Sequence, residues 1–396
     1  MKKILVFGAP VFQIPIVAKA KEMGLYVGIV DINPDSEAVS YADEYFCCSL
    51  RDNEKLLAIA QGFKPNGIVI GACDTSVVSA SYVCQQLGLP GHSLATAFKA
   101  TDKVAMLQAF QAHGVAHPRF QVVRKSQIDD FELKIPYPVI SKPTDGSGSR
   151  GICFIRGKEE LAEALQYSSQ ASRSGDLLVE EFMEGPEVSV EVLAVNGVPY
   201  VLQITDKITS GPPFFFEMGQ SQPSALPEEV KQKIAALAAQ ACISVGIENS
   251  PAHVEIKVTM NGPKLVELGA RLGGDCISTY LLETSVRGIN LVEETIRMAL
   301  GETCRKLQYC NSGTASAVRF VEGSRGTITS ISGIDQAKKS DGVVHVSFTG
   351  KVGRPIGRTT DNSSRLGFVV AKGCNTAEAL DRCQKAIRKI RITYSD

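Results

Sequence analysis

The chain has 396 residues, of which 44% are apolar and 21% are charged, a composition typical of a globular protein with two or three domains. Its formal net charge is zero, so overall electrostatics give no argument for a nucleic-acid partner. The first apolar run is about seven residues long and breaks at Gly8, so we expect no signal peptide. No stretch approaches the ~20 apolar residues of a membrane span, so we expect no membrane partner.

Eleven cysteines are scattered along the chain and form no C-x-x-C pair. Cys47 and Cys48 are adjacent, an arrangement that suits neither an ordinary disulfide framework nor a zinc site. We therefore expect reduced, mostly buried thiols and a cytoplasmic location.

The first 100 residues alternate predicted strands, at 4–7, 26–31 and 66–70, with helix-like stretches such as 11–23. This alternation predicts a parallel sheet in a small Rossmann-like domain. Its first turn, FGAPVF, has one glycine and therefore lacks the dinucleotide fingerprint, which leaves a nicotinamide oxidoreductase as a distant alternative. Asp31 ends the second strand, and we interpret it as a loop carboxylate rather than a ribose ligand.

The middle of the chain predicts a helix at 103–113, capped by Thr101 or Asp102, and then a strand-rich region. Strands are predicted at 139–142, 151–155 and 177–182, a helix at 159–166, and a hairpin of 188–195 with 198–204. A long helix follows at 228–245. The last ~90 residues read as α+β, with strands at 314–321 and 343–348 and a helix at 376–390.

The stretch ISKPTDGSGSRGI, residues 140–152, reads as a strand, a glycine-rich loop and a second strand. Because Lys142 precedes the glycines and a strand follows them, the stretch is not a P-loop. Gly146, Gly148 and Gly151 allow the backbone to fold over anionic oxygens, with Lys142 as a nearby positive charge. By itself the loop fits a phosphate-binding lid and an unliganded hairpin tip equally well.

A second hairpin, HVEIKVTMNGPKLVEL, places Glu255 and Glu267 in apolar strands, where unpaired carboxylates are costly. A two-residue turn at Asn261-Gly262 would put the two glutamates on opposite faces. A three-residue turn that includes Pro263 would place Glu255 opposite Gly269, with Glu267 one diagonal step away on the same face. Since Pro263 cannot donate to a ladder, we predict the three-residue turn.

Two carboxylates on one face can hold Mg²⁺, a hard ion that keeps oxygen ligands and bridges phosphates. The alternative is a pair of glutamates on an exposed face. Nearby, the stretch LLVEEFMEGPEVSVEVL has Glu180, Glu181 and Glu187 at strand ends, where acidic residues usually form a solvated rim.

In order and spacing these motifs resemble the ATP-grasp superfamily, and within it the ATP-dependent carboxylate–amine ligases, with amino-acid ligases nearest. The resemblance covers nearly the whole chain and implies a mixed α/β and α+β fold. It implies a Rossmann-like domain at 1–100, an ATP-grasp domain at 101–305 with its lid lobe at about 120–205, and a small α+β domain at 306–396. It also implies ATP and Mg²⁺, with Mn²⁺ as an alternative, and allows a homodimer.

Carried over residue by residue, the resemblance assigns Lys103 and Lys142 to the nucleotide, with Lys142 on the α- and β-phosphates. Residues 146–151 match the lid, whose phosphate contacts would be Ser147, Gly148 and Ser149. The stretch EEFMEGPE matches the adenine and ribose site. There Glu180 would meet the adenine amino group, the backbone of Glu181, Phe182 and Met183 the ring edge, and Glu187 the ribose.

Glu255 and Glu267 match the family's metal ligands, and Arg271 matches the arginine that stabilises the phosphorylated intermediate. The chain departs from the family at Gly269, because many of these enzymes have E-x-N with asparagine as a further metal ligand. The departure puts a second magnesium ion in doubt and leaves the two glutamates in place.

The resemblance implies an amide-forming ligase that acts on small-molecule carboxylate and amine substrates through an acyl phosphate. Two alternatives share its nucleotide residues: a purine-pathway or carboxylating enzyme, and a non-catalytic ATP-binding protein. Residues 205–224 are rich in Gly, Pro and Phe, which predicts an irregular loop over the substrate pocket or a structural Ω-loop. Candidate substrate contacts are Lys207, Phe215, Glu217 and His253.

Overall fold

The computed structural model describes residues 1–146, 148, 150–302 and 307–395. The N-terminal part contains strands β1 (Lys3–Phe7), β2 (Tyr26–Asp31), β3 (Glu44–Cys47) and β4 (Gly67–Ile70), and helices α1 (Ile14–Glu22), α2 (Asn53–Phe63) and α3 (Val77–Leu87). Its strands pair in parallel in the order β3-β2-β1-β4, which confirms the predicted parallel sheet. Asp31 accepts hydrogen bonds from the backbone N–H groups of Ala9 at 2.8 Å and Asn33 at 2.9 Å, as a loop carboxylate does.

Two helices, α4 (Leu94–Lys99) and α5 (Lys103–Ala112), lead into a four-stranded antiparallel sheet, which we call the lid sheet. The Asp102 carboxylate caps α5 by accepting from the Ala105 N–H at 2.8 Å, so Asp102 is the cap of the two predicted. The lid sheet consists of β5 (Phe120–Val123), β6 (Val139–Pro143), β7 (Cys153–Ile155) and β8 (Leu177–Glu181), in the order β5-β8-β6-β7, with helix α6 (Lys158–Ala171). The glycine-rich loop joins β6 to β7.

The next segment builds most of an eight-stranded sheet, which we call the large sheet. Its elements are β9 (Glu187–Val195), β10 (Val198–Thr209), β11 (Glu217–Gln222), α7 (Glu228–Val245), β12 (Ser250–Thr259) and β13 (Gly262–Gly269). The predicted long helix is confirmed with the same bounds. Its residues Ile234 and Ala238 are buried in one core with Val190 of β9 and Val254 of β12, so α7 covers one face of this sheet.

The remaining chain adds further strands to the same sheet. Its elements are α8 (Leu282–Ser285), β14 (Val286–Arg287), α9 (Leu291–Ala299), β15 (Cys310–Asn311), β16 (Ala315–Val321), β17 (Gly326–Ser332), α10 (Ile334–Lys338), β18 (Val343–Phe348), β19 (Pro355–Ile356), β20 (Gly367–Gly373), α11 (Thr376–Ile387) and β21 (Arg391–Ser395). The large sheet runs in the order β13-β12-β9-β10-β11-β16-β20-β18, so strands on both sides of residue 306 belong to it. The domain bounds remain a prediction. Within the described residues, no helix combines the length and apolar character needed to cross a membrane.

The prediction of an irregular loop at 205–224 is wrong. Strand β10 continues to Thr209 and pairs with β11, which leaves residues 210–216 as the turn. The polar residues of β11 obscured the strand, because their partners are distant in sequence. Gln222, which is fully buried, donates to the Thr205 hydroxyl and accepts from the Ser285 hydroxyl, both at 2.8 Å.

The predicted register of the β12–β13 hairpin is also wrong. The turn pairs Thr259 with Gly262, and His253 rather than Glu255 lies opposite Gly269. A bulge at residue 266 then shifts the register, so that Glu255 pairs directly with Glu267. The bulge therefore places the carboxylates of Glu255 and Glu267 side by side, a pairing that neither the two-residue nor the three-residue turn predicted.

Candidate active site

A cleft of about 410 Å³ lies between the lid sheet, the large sheet and the loop that follows β4. It brings together every predicted site residue that the structure describes. Ser147 and Ser149 lie outside the described residues. The predicted residues that line the cleft are Lys103, Lys142, Gly148, Glu180, Glu181, Phe182, Met183, Glu187, Lys207, Phe215, Glu217, His253, Glu255, Glu267 and Arg271.

One wall of the cleft carries a buried ion pair between Lys142 and Glu180. The lid sheet pairs Ile140 with Glu180, so Lys142 lies one diagonal step away on the same face. The Lys142 Nζ is 2.7 Å from Glu180 Oε2, and both side chains are less than 10% exposed. Within the described part of the chain, Glu180 Oε1 is buried without a hydrogen-bond partner, so it can accept from a ligand.

Lys103, at the start of α5, links the glycine-rich loop to the large sheet. Its ammonium group donates to the Gly146 carbonyl at 2.8 Å and pairs with Glu267 Oε1 at 2.7 Å. Burial would lower the pKa of Lys103, but the carboxylates of Glu267, Asp74 and Glu180 together outweigh burial and hold the pKa above its ordinary value. Lys103 therefore stays charged beside the loop.

The adenine stretch predicted from sequence lies at the cleft between the two sheets. The Glu181 carboxylate is held at the rim by ion pairs with Arg119 and Lys264. Next to it lies the ring of Phe182. The centroid of this ring is 4.7 Å from that of Phe154 in the lid sheet and 6.3 Å from that of Phe215 in the β10–β11 turn. These three rings form an apolar wall that joins the lid sheet to the large sheet.

Three carboxylates surround Lys207 on the floor of the cleft. Its Nζ lies 2.7 Å from Glu187, 3.1 Å from Glu217 and 3.2 Å from Glu255. The Lys207 side chain is 3% exposed. Burial would lower its pKa, but the carboxylates raise the pKa well above the ordinary value, so Lys207 is a permanent internal cation.

Arg271, just after β13, is fixed by a carboxylate that the sequence did not suggest. Its Nε is 2.5 Å from Asp74 Oδ1, and its Nη2 is 2.7 Å from Asp74 Oδ2. Asp74 comes from the loop after β4. The paired geometry leaves part of the Arg271 guanidinium facing the cleft.

Comparison with known proteins assigns this architecture. The ATP-grasp domain family matches residues 135–279, and the L-amino acid ligase C-terminal domain 2 family matches residues 319–395. The fold is therefore the ATP-grasp fold, and residues 135–279 form its ATP-grasp domain.

Three individual proteins illustrate the ATP-grasp relationship. An uncharacterized protein, y4rH, from Sinorhizobium fredii is 29% identical over 83% of this chain and 68% of its own length. Carnosine synthase 1 of Homo sapiens is 24% identical over 76% of this chain, which spans 40% of that enzyme. The crystal structure of L-amino acid ligase from Bacillus licheniformis matches with a TM-score of 0.86 and 23% identity, covering 100% of this chain and 99% of that chain, a likeness of fold.

The β12–β13 hairpin carries the two carboxylates that could hold a divalent cation. Glu255 and Glu267 are direct cross-strand partners that both line the cleft. Neighbouring cations stabilise the ionised form of Glu255: burial opposes ionisation, but Lys207 and His253 lower its pKa. Among the described residues, no group of three or more His, Cys, Asp or Glu side chains is arranged to bind a metal ion. Two hard oxygen ligands fit a cation that also keeps water and phosphate oxygens.

Glu217 and Asp275 form a buried pair of acids at one side of the ATP-grasp cleft. Burial raises the pKa of Glu217 to about 8, and the negative charge of Asp275 adds to this rise although Lys207 opposes it. Burial also opposes ionisation of Asp275, but Arg365 holds its pKa at about 2 through contacts of 2.7 and 2.9 Å. At pH 7 we therefore expect Glu217 to be neutral and Asp275 to be charged.

The raised pKa of Glu217 predicts a stability that depends on pH. Between the ordinary value of 4.5 and about 8, the folded protein keeps a proton that the unfolded chain has released. The unfolded state binds fewer protons there, so stability falls as pH rises, by up to about 1.4 kcal/mol per unit. A Glu217→Gln variant should have a shallower slope in urea unfolding at pH 5, 6.5 and 8, because His253, with its raised pKa, still contributes between pH 6.5 and 8. Equal slopes for both proteins would contradict the assignment.

Four site residues were not found by sequence reasoning: Glu191, Asp74, Asp275 and Arg365. Glu191, which is fully buried on β9, contacts His253 Nδ1 at 2.5 Å and accepts a hydrogen bond from the Ser278 hydroxyl. Burial would lower the pKa of His253, but Glu191 and Glu255 raise it to about 9. Asp74 pairs with Arg271, and Arg365 pairs with Asp275. Each reaches its partner across at least 60 residues of sequence, and no local pattern indicates such a pairing.

Proposed function

We propose that this ATP-grasp protein joins the carboxylate of an amino acid to an amine, with release of ADP and phosphate. The observation that carries the proposal is the set of side chains that this cleft brings together. It holds two charged lysines, Lys103 and Lys142, the facing pair Glu255 and Glu267, and Arg271 with a forked set of donors. Such a set suits the transfer of a phosphoryl group to a second anionic substrate.

The proposed reaction has two steps. An oxygen of the substrate carboxylate attacks the γ-phosphorus of ATP, the bond to the β-phosphate oxygen breaks, and ADP leaves. The amine nitrogen then attacks the carbonyl carbon of the acyl phosphate. The carbon–oxygen bond to phosphate breaks, the nitrogen loses a proton, and an amide and phosphate remain. No nucleophile from the protein is needed, so the buried cysteines are not required for the chemistry.

The residues of the chain would bind and orient these groups. Lys142 would neutralise charge on the nucleotide phosphates, and the N–H groups of the glycine-rich loop would cover them. Arg271 would hold the oxygens of the acyl phosphate with its planar donors. A divalent cation between Glu255 and Glu267, Mg²⁺ or Mn²⁺, would supply positive charge beside the phosphates when bound.

The amino-acid class of substrate is supported by the acidic side of the cleft. Asp275 and Glu217 both line this side, so the ammonium group of an amino acid entering there would meet carboxyl oxygens that accept hydrogen bonds. His253 and Lys207 also line this region. The match to the L-amino acid ligase C-terminal domain 2 family supports the same class.

The test is release of ADP and phosphate from Mg-ATP with a panel of amino acids, supplied singly and in pairs. We expect release that requires an acid and an amine together, with an amide product identified by mass spectrometry. Release with a purine ribonucleotide amine or with bicarbonate would instead indicate a purine-pathway or carboxylating enzyme. Tight ATP binding without release for any pair would indicate a non-catalytic ATP-binding protein and would contradict the proposal.

A further inference from the structure

We propose that Asp74 is a positioning residue that orients the Arg271 guanidinium, and that Gly269 leaves the room that this contact needs. The kinetic consequence rests on the proposed ligase function, whereas the contact itself does not. Asp74 belongs to the N-terminal part of the chain, 197 residues away from its partner. The inference therefore gives the N-terminal part a direct role in the geometry of the reacting groups.

The contact fixes the plane of the guanidinium group. The two carboxylate oxygens of Asp74 accept from Nε and Nη2 of Arg271 at 2.5 and 2.7 Å, and Nη1 donates to the Leu272 carbonyl at 2.9 Å. Three of the five N–H bonds of an arginine side chain are then occupied. Two remain, one on each terminal nitrogen, for oxygens in the cleft, and their direction follows from the plane that Asp74 sets.

The loop that carries Asp74 is itself held in place. The Cys73 N–H donates to the Gly71 carbonyl at 2.8 Å, and the Ser76 hydroxyl donates to the Cys73 carbonyl at 2.8 Å. Both Asp74 and Arg271 are mostly buried, with side chains 25% and 13% exposed. A bidentate pair on a braced loop is the arrangement in which a carboxylate fixes an arginine most firmly.

Gly269 lies against this pair. A Cβ atom at position 269 would stand 3.0 Å from Asp74 Oδ1 and 3.2 Å from Arg271 Cζ. The backbone of Gly269 is outside the positive-φ region, so space rather than conformation restricts the side chain. A larger side chain there, such as that of asparagine, would displace the Asp74–Arg271 contact. Gly269 thus leaves the space in which Asp74 and Arg271 meet.

The test compares Asp74→Asn with the control Asp43→Asn. Asp43 also belongs to the N-terminal part and pairs with a basic side chain, Lys21, at 2.8 Å. The first readout is the ¹⁵Nε–H NMR signal of Arg271, which a bidentate carboxylate shifts and protects from exchange. The second readout is kcat and KM with an accepted acid–amine pair. We expect Asp74→Asn to lose the Arg271 signal and about a hundredfold in kcat, with KM for ATP within about twofold.

A Gly269→Ala variant provides a second route to the same geometry without removing a charge. We expect it to weaken the Arg271 signal and lower kcat in the same direction, while Asp43→Asn changes neither. A retained signal in Asp74→Asn, or a lost signal with kcat within about twofold, would overturn the inference. If the unmodified chain forms no amide, the ligase proposal fails and the second readout becomes the affinity for inorganic phosphate with Mg-ADP. Equal affinity in Asp74→Asn would then overturn the positioning role.

Discussion

A Lys142→Ala variant is expected to release ADP about a thousandfold more slowly than the unmodified chain. The substitution removes a charge that is buried in the cleft wall, 2.7 Å from Glu180, where water screens little. Nucleotide affinity should fall as well, because the proposed contact of Lys142 is with the phosphates. ADP release under saturating substrates and calorimetric titration with Mg-ATP would measure the two effects.

Loss of Lys142 also leaves Glu180 without its partner, so the fold must be controlled separately. A Lys142→Ala/Glu180→Gln double variant removes the unpaired charge and should recover the thermal stability without recovering turnover. Lys264→Ala is the matched single variant, because Lys264 pairs with the adjacent Glu181 at the rim. Turnover that falls equally in Lys264→Ala, or that returns in the double variant, would contradict a role of Lys142 at the phosphates.

Replacing Lys207 by methionine is expected to destabilise the protein by about 3–5 kcal/mol, the usual cost of leaving a buried charge without its partner. Glu187 keeps its ion pair with Lys257, so the loss of the cation would be felt mainly at Glu255. A divalent cation bound at Glu255 would offset part of this loss. Urea unfolding with and without millimolar Mg²⁺ should show a larger gain from the ion in Lys207→Met than in the unmodified chain.

Lys257 provides the control for this experiment. It lies on β12 beside the same cluster, but its side chain is 20% exposed, pairs with Glu187 at 3.2 Å and donates to the Gly185 carbonyl at 3.2 Å. We expect Lys257→Met to cost less than about 1 kcal/mol. Equal losses in the two variants, or a loss in Lys207→Met that Mg²⁺ does not reduce, would contradict the role of Lys207 in balancing the charge of Glu255.

The sequence predicted the elements with strong local signals and the residues of recognisable motifs. The α7 helix was predicted with its observed bounds, and the Lys142 loop was predicted between two strands. The register of β12 with β13 was not predicted correctly, because it depends on a bulge at residue 266. The residues of the turn do not determine where a bulge forms. Glu255 and Glu267 nevertheless pair directly. The prediction that the two glutamates lie on one face was right, but the turn from which it was derived was wrong.

Partners of the site residues could not be predicted, since tertiary contacts alone determine them. Lys207 was expected to be a substrate contact on a loop, and it lies on a strand among three carboxylates. Strand β11 was missed because its buried residues are polar, and their hydrogen bonds reach Thr205 and Ser285. Alternation of apolar residues, which predicts strands well, does not detect a strand whose core face is polar.

The continuity of the large sheet limits how this protein can be divided. Strand β16 pairs with β11 along its length, from Gly219 opposite Arg319 to Gln222 opposite Ser316. Cutting the chain near residue 306 would leave both strands with bare edges, which invite aggregation. A chimera that exchanges the C-terminal region between relatives would therefore have to carry β11 with it. Because β11 begins at Glu217, which lines the cleft, such an exchange would transfer part of the cleft wall together with the C-terminal region.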